Sequence, residues 1–92
     1  MNLREFRDNR GKTDGPVSVW FENGALRQYG TVNHGRMIGK WTAYHSNGIT
    51  DRISFYSETG FRMNDWCYFN EAGDTIKVEH YRGDTLLTVT HY

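Results

Sequence analysis

Four histidines, one cysteine and 11 carboxylates are the side chains of this 92-residue chain able to move protons, attack a substrate or ligate a metal. His34, His45, His80 and His91 show neither the His-x-His nor the His-x3-His spacing that aligns two imidazoles on one ion, and Cys67 has no second cysteine nearby. A cysteine beside a histidine is in principle a nucleophile with its base. Cys67 instead alternates with Trp66 and Tyr68 inside a β-prone run, where a small buried thiol serves packing. The carboxylates, among them Asp51, Asp65, Glu71 and Asp84, fall mostly at turns and strand ends, where local backbone hydrogen bonding accounts for them without acid–base work. No glycine-rich phosphate loop leads into a helix, because no segment has helical periodicity. The expectation is therefore a protein that is not an enzyme, with no catalytic residue, no cofactor and no metal.

Composition narrows the partners. Lys and Arg number 11 against 11 Asp and Glu, a net charge of zero with no block of one sign. Neither a nucleic-acid surface nor an anionic membrane surface is expected, since each needs clustered cations. Arg4, Arg7, Arg10 and Lys12 form a short basic stretch, read as a solvated strand and turn. A single cysteine leaves no internal disulfide. The first residues, Met1-Asn-Leu-Arg-Glu-Phe-Arg-Asp, lack the apolar core of a signal peptide, so the cytoplasm is the default location.

The elements that must position these side chains repeat. Gly15–Gly24, Gly39–Gly48 and Asn64–Gly73 align, with Trp20 recurring as Tyr44 and Phe69 at spacings of 24 and 25 residues. Gly24, Gly48 and Gly73 keep those spacings, as do Val32, Tyr56 and Tyr81. A fixed period of this length marks a stacked array of one supersecondary unit. Each unit reads as strand, tight turn, strand, with the turn at Asn23-Gly24, Asn47-Gly48 and Ala72-Gly73 and glycine-bearing connectors over 33–39 and 57–60. Asn2 to Arg7 adds a partial unit before the array, and Thr85–Tyr92 a last strand. The expected fold is all-β, one domain of consecutive antiparallel hairpins in a single twisted or rolled meander of about eight strands. Its divisions are a partial repeat over 1–14, repeats over 15–38, 39–63 and 64–83, and a C-terminal strand over 84–92.

Alternation along the strands places Trp20, Tyr44 and Phe69 on one face with Ser18, Thr42 and Cys67. Val17, Trp41 and Trp66 take the other face with Val19, Ala43 and Tyr68. Large rings on both faces suit a sheet with little else packed on it, held by aromatic ladders. Trp20, Trp41, Tyr44, Tyr56, Trp66, Phe69 and Tyr81 are accordingly read as structural repeat residues.

The pattern Gly-x-Trp-x-x-Tyr-x-x-Asn-Gly, followed by a Tyr and a Gly, resembles the MORN repeat. It is most similar to the variant of bacterial and phage proteins labelled antitoxin-component repeats. Gly39, Trp41, Tyr44, Asn47, Gly48, Tyr56 and Gly60 carry the resemblance, which spans residues 15 to 83. It implies a fold of consecutive β-hairpins and a role in protein interaction, with no shared catalytic residues. The function expected is a non-catalytic protein-binding module, an antitoxin, immunity protein or phage inhibitor that blocks or scaffolds a partner. The alternative is a structural or assembly protein that oligomerises or tethers to a membrane or larger complex.

An unclosed meander has two edges with unpaired backbone groups. Thr85–Tyr92 contains no Lys, Arg, Asp, Glu or Pro, so the usual guards against strand pairing are missing. Three outcomes follow: a homodimer joined edge to edge, a partner protein that adds a strand, or an edge covered by the fold itself. Leu87, Val89, His91 and Tyr92, together with Tyr68, are the expected partner-binding residues.

Overall fold

The computed structural model describes residues 14–92. Seven strands follow one another in a single antiparallel sheet: β1 (Gly15–Trp20), β2 (Leu26–Asn33), β3 (Arg36–Tyr44), β4 (Thr50–Tyr56), β5 (Asn64–Phe69), β6 (Thr75–Arg82) and β7 (Thr85–His91). Every strand pairs only with its neighbours in sequence, and β1 and β7 are the two ends of the order. The all-β hairpin meander expected from the period is thus the observed fold. The further strand expected over Asn2 to Arg7 lies outside the described residues.

The repeat is visible in the register. Gly15, Gly39 and Asn64 stand opposite Val32, Tyr56 and Tyr81. Each of these three pairings also slips by one residue at the same place, before Trp20, Tyr44 and Phe69. Identical bulges at identical positions give each unit the same extra twist.

Two kinds of turn alternate along the chain. At the tips of the units, Gly24, Gly48 and Gly73 have φ of 91°, 91° and 94° while the residue before each stays at negative φ. The turns fall at the expected dipeptides, and of each pair only the glycine turns left-handed. The loop is one residue wider: the Gly24 N–H donates to Phe21 O at 3.0 Å and the Phe21 N–H to Ala25 O at 2.8 Å. The asparagine has a different task, its Oδ1 accepting the N–H two residues on, Asn23 from Ala25 and Asn47 from Ile49, both at 2.9 Å. In the third unit Asn70 takes over that role for the N–H of Ala72. Paired positive φ occurs instead at His34-Gly35 and Gly83-Asp84, two-residue hairpins of the mirror-image type, so 33–39 is not a connector but a tight turn entering β3.

Among the described residues, every buried side chain except Val78 lies on one face. Trp41 is the centre of that face at 1% exposure, surrounded by Val17, Val19, Val32, Met37 and Tyr56. Its indole lies flat across β2 at Gly30, where an added Cβ would stand 2.0 Å from Trp41 Cδ2. The indole N–H donates to Thr31 O and Ile38 O, each at 3.1 Å. One unit later the Trp66 N–H donates to Phe55 O at 3.1 Å, and the place of Gly30 is held by buried Ser54. Tyr56 meets Trp66 edge-on at 5.2 Å and Trp66 meets Tyr81 at 5.1 Å. Such ring pairs add about 0.5–1.5 kcal/mol each beyond burial. At the unit tips the stacking is polar: the Asn47 amide donates to Glu71 O at 3.1 Å and His45 Nε2–H to Phe69 O at 2.9 Å.

Gly30→Ala should therefore be among the most damaging single-methyl changes in this chain, costing roughly 1–3 kcal/mol as overpacking. Trp41→Ala should cost roughly 3–5 kcal/mol. Urea unfolding followed by tryptophan fluorescence checks both; a Gly30→Ala midpoint equal to the unaltered chain's would show that Trp41 does not rest on that backbone.

Candidate functional site

β7 is exposed at every residue. Leu86, Leu87, Val89 and Tyr92 are 46%, 51%, 38% and 75% exposed, a density of open apolar side chains found nowhere else along the described sheet. The Tyr92 N–H donates to Ile76 O at 3.1 Å on the β6 side. Alternation along an antiparallel strand then turns the N–H and C=O of Thr90 and Thr88 toward β6 and those of Val89 and His91 away from it. Among the described residues no strand pairs with that outer side.

The residues expected to bind a partner come together in part. Leu87, Val89 and His91 lie in β7, with Tyr92 directly after it. Tyr68 sits two strands inward but in the same row, opposite Lys77, which is itself opposite His91. Tyr68 is not a free surface ring. Its hydroxyl donates to Glu79 Oε1 at 2.7 Å, and Lys77 Nζ lies 4.4 Å over its ring. The Tyr81 hydroxyl donates to the same oxygen at 3.1 Å. Burial, and then the bond to Glu79, pushes the Tyr68 hydroxyl well above its ordinary pKa. The Tyr68 bond in turn holds the Glu79 carboxyl below its usual value, with Tyr81 and Lys77 helping. Arg62 stacks 4.8 Å over Tyr81 and pairs with Asp84 at 2.6 Å, closing the polar flank of the aromatic ladder.

The repeat residues divide by face. Trp41, Trp66 and Tyr81 are buried on the packed face with Tyr56 beside them, while Trp20, Tyr44 and Phe69 are half-buried on the other. There Phe69 lines a shallow groove with Ile49, Ile53 and the backbone of Gly48 and Gly73. Gly24, Gly48 and Gly73 are the left-handed turn residues already described.

One constellation was not expected from spacing. Asp65 Oδ1 lies 2.7 Å from His80 Nδ1, and His80 Nε2 lies 3.3 Å from Thr90 Oγ1. The order carboxylate, imidazole, hydroxyl is that of a nucleophilic triad. Its setting is not, because the Asp65 side chain is 60% exposed and water competes for every partner. The row joins β5, β6 and β7 on the open face as cross-strand polar pairing. Reading each unit separately hides it; only pairing β5 with β6 and β6 with β7 sets Asp65 opposite His80 and Thr90 diagonal to it. Cys67 is half-buried on the same face, and burial raises its thiol pKa, which disfavours the reactive thiolate. Among the described residues no group of three or more His, Cys, Asp or Glu is placed to hold a metal ion, and no helix is long and apolar enough to cross a membrane.

No protein-family model, curated protein sequence or solved structure matches the chain.

The Glu79 cluster makes stability depend on pH. A carboxyl held below its unfolded value contributes fully above that value, 4.5 for glutamate, and the contribution is lost as pH falls through the folded one. Tyr68→Phe, which removes the principal donor, should cost about 1.5–3 kcal/mol at neutral pH, as for a hydrogen bond to a charged group. Near pH 3 the difference should shrink. Urea midpoints of both proteins at the two pH values test this; a constant difference would show that the Tyr68 hydroxyl does not serve the ionised carboxylate.

Proposed function

We propose that this chain is a non-catalytic protein-binding module that engages another protein through the β7 edge. The observation that carries the reading is the exposure of all seven β7 residues, in a strand with no Lys, Arg, Asp, Glu or Pro. Edge strands of soluble sheets ordinarily carry such guards. Strand addition then supplies main-chain hydrogen bonds, and the exposed apolar side chains Leu87 and Val89 on one face and Tyr92 on the other supply burial. The resemblance to antitoxin-component MORN repeats supports an inhibitory use: a small array that occupies a partner's surface, as an antitoxin, immunity protein or phage inhibitor does. The exposed Asp65–His80–Thr90 row is a structural tie in this reading.

An assembly role is the second reading, and one observation favours it. β7 carries no charge, so two copies pairing antiparallel oppose no like charges. Such a pairing is isologous, as a two-fold homodimer requires.

Val89→Pro separates an edge function from its absence, because the Val89 N–H points to the open side and its loss leaves the β6–β7 ladder intact. The variant should keep the unfolding midpoint within about 1 kcal/mol of the parent, as for surface changes. It should lose whichever assembly the parent shows, read by light scattering for self-association and by quantitative co-purification from the native host for a partner. Retention of both by a folded Val89→Pro protein would remove the edge from the function.

A further inference from the structure

β7 is the first strand of a fourth unit, and its register defines the strand it would accept. Gln28, Arg52 and Lys77 face Ala43, Tyr68 and His91 across β2–β3, β4–β5 and β6–β7. The adjacent pairs Tyr29–Thr42, Ile53–Cys67 and Val78–Thr90 repeat in the same way. His91 therefore occupies the place of Ala43 and Tyr68, and Thr90 that of Thr42 and Cys67. Val89 then takes the position of Trp41 and Trp66, Leu87 that of Gly39 and Asn64, and Tyr92 that of Tyr44 and Phe69. The sequence period does not reveal this, because the spacing falls to 23 residues and the glycine and tryptophan are replaced.

In the three complete units the first strand has a second strand on its outer side, always in one register. Opposite the Leu87 position stand Val32, Tyr56 and Tyr81. Opposite the Val89 position stand Gly30, Ser54 and Glu79, and opposite the His91 position Gln28, Arg52 and Lys77. From N to C, that second strand presents a long polar or cationic side chain, a compact or hydrogen-bonding residue two positions on, and Tyr or Val two positions further. Between them come residues of the other face, chiefly apolar: Tyr29, Ile53 and Val78 in the first gap.

From this we propose that the β7 edge accepts, in antiparallel register, an extended segment of a partner protein with the pattern Arg/Lys/Gln-apolar-small-x-Tyr/Val. The proposal rests on the reading of β7 as a binding edge and names the chemistry of the partner segment. Outward N–H and C=O groups at Val89 and His91 receive the segment's backbone, Leu87 packs on its Tyr or Val, and the neutral edge at His91 lies beside its long polar residue. A second copy of β7 fits that frame poorly. Centred on Val89, it sets Val against Val where the units place Gly, Ser or Glu, and Leu87 against His91 where they place Val or Tyr against the one and a long polar chain against the other.

The probe is a capped synthetic peptide of the β4 sequence, Ile49 to Ser57, added to the full chain, with a control in which the Arg and Tyr positions are exchanged. Amide exchange should show protection gained at Val89 and His91, and Val89→Pro should weaken peptide binding at least about tenfold, the scale of one lost backbone bond with its strand geometry. The register itself is read by charge. His91→Lys should weaken the Arg peptide by about two- to fivefold, the range of a like-charge cross-strand pair, and should favour a peptide with Glu in the Arg position. Equal binding of parent and exchanged peptides, or indifference to His91→Lys, would overturn the register. So would the absence of peptide binding by a monomeric chain, and so would a stable homodimer that refuses the peptide, which assigns the edge to a second copy. If the peptide fails while Val89→Pro still abolishes capture of the native partner, the register is wrong and the edge reading stands.

Discussion

The structure depends on one arrangement: a tryptophan ring laid flat on the backbone of the preceding strand. A single-layer sheet has no helix or second sheet to cover its apolar face, and its cover must come from its own side chains. An indole is wide enough to span to the neighbouring strand, provided that strand offers no bulk beneath it. Gly30 meets that condition completely, and Ser54 meets it for Trp66 one unit on. The indole N–H, which burial would otherwise leave without water, is turned to a strand carbonyl in both cases. Tyr56 then packs edge-on against Trp66 of the next unit, and Tyr81 packs on the far side of Trp66.

This coupling sets a direction. A unit's first strand supplies the ring, and the second strand of the unit before supplies the floor. The array is therefore unlike at its two ends. At the β7 end the ring position is held by Val89, too small to lie across β6, and the floor position is Glu79, which is satisfied by Tyr68 and Tyr81 instead of by an indole. The aromatic ladder stops there and gives way to a hydrogen-bonded cluster. Polar satisfaction by Tyr68, Tyr81 and Lys77 lets a carboxylate stand in a place where its predecessors are Gly and Ser.

Much of this was legible in the chain. Among the described residues the period placed the strands and their faces, apart from the start of β3 at Arg36, because alternation is fixed by the pleat and the period by the unit. Trp41 and Trp66 stood out as ladder residues on that basis alone. The turn type was not legible from Asn-Gly: the dipeptide serves both a two-residue loop and the end of a wider one, and Phe21 and His45 bonding across the loop decide between them. Gly30 carried no signal, since its role exists only once Trp41 is placed above it. The Asp65–His80–Thr90 row and the Tyr68–Glu79–Tyr81 cluster were hidden for a related reason. Both join residues that match only after strand register is known, and register depends on the one-residue bulges before Trp20, Tyr44 and Phe69.

In the pairing proposed for the open edge, register is set by side chains as well as by backbone. A flat edge pairs with any extended chain in several registers, whereas a slip by one residue on a pleated strand inverts every side chain. β7 follows β6 through a register shift at His80–Tyr81 and offers on its packed face Leu87, Val89 and His91, an apolar, an apolar and a polar side chain in that order. In the proposed antiparallel register Leu87 faces a Val or Tyr, Val89 a compact or hydrogen-bonding residue and His91 a long polar one, as in the strands the sheet already contains. In the proposed reading, an end with Val89 in place of an indole leaves the outer backbone of β7 for pairing, and its side chains select the strand that pairs.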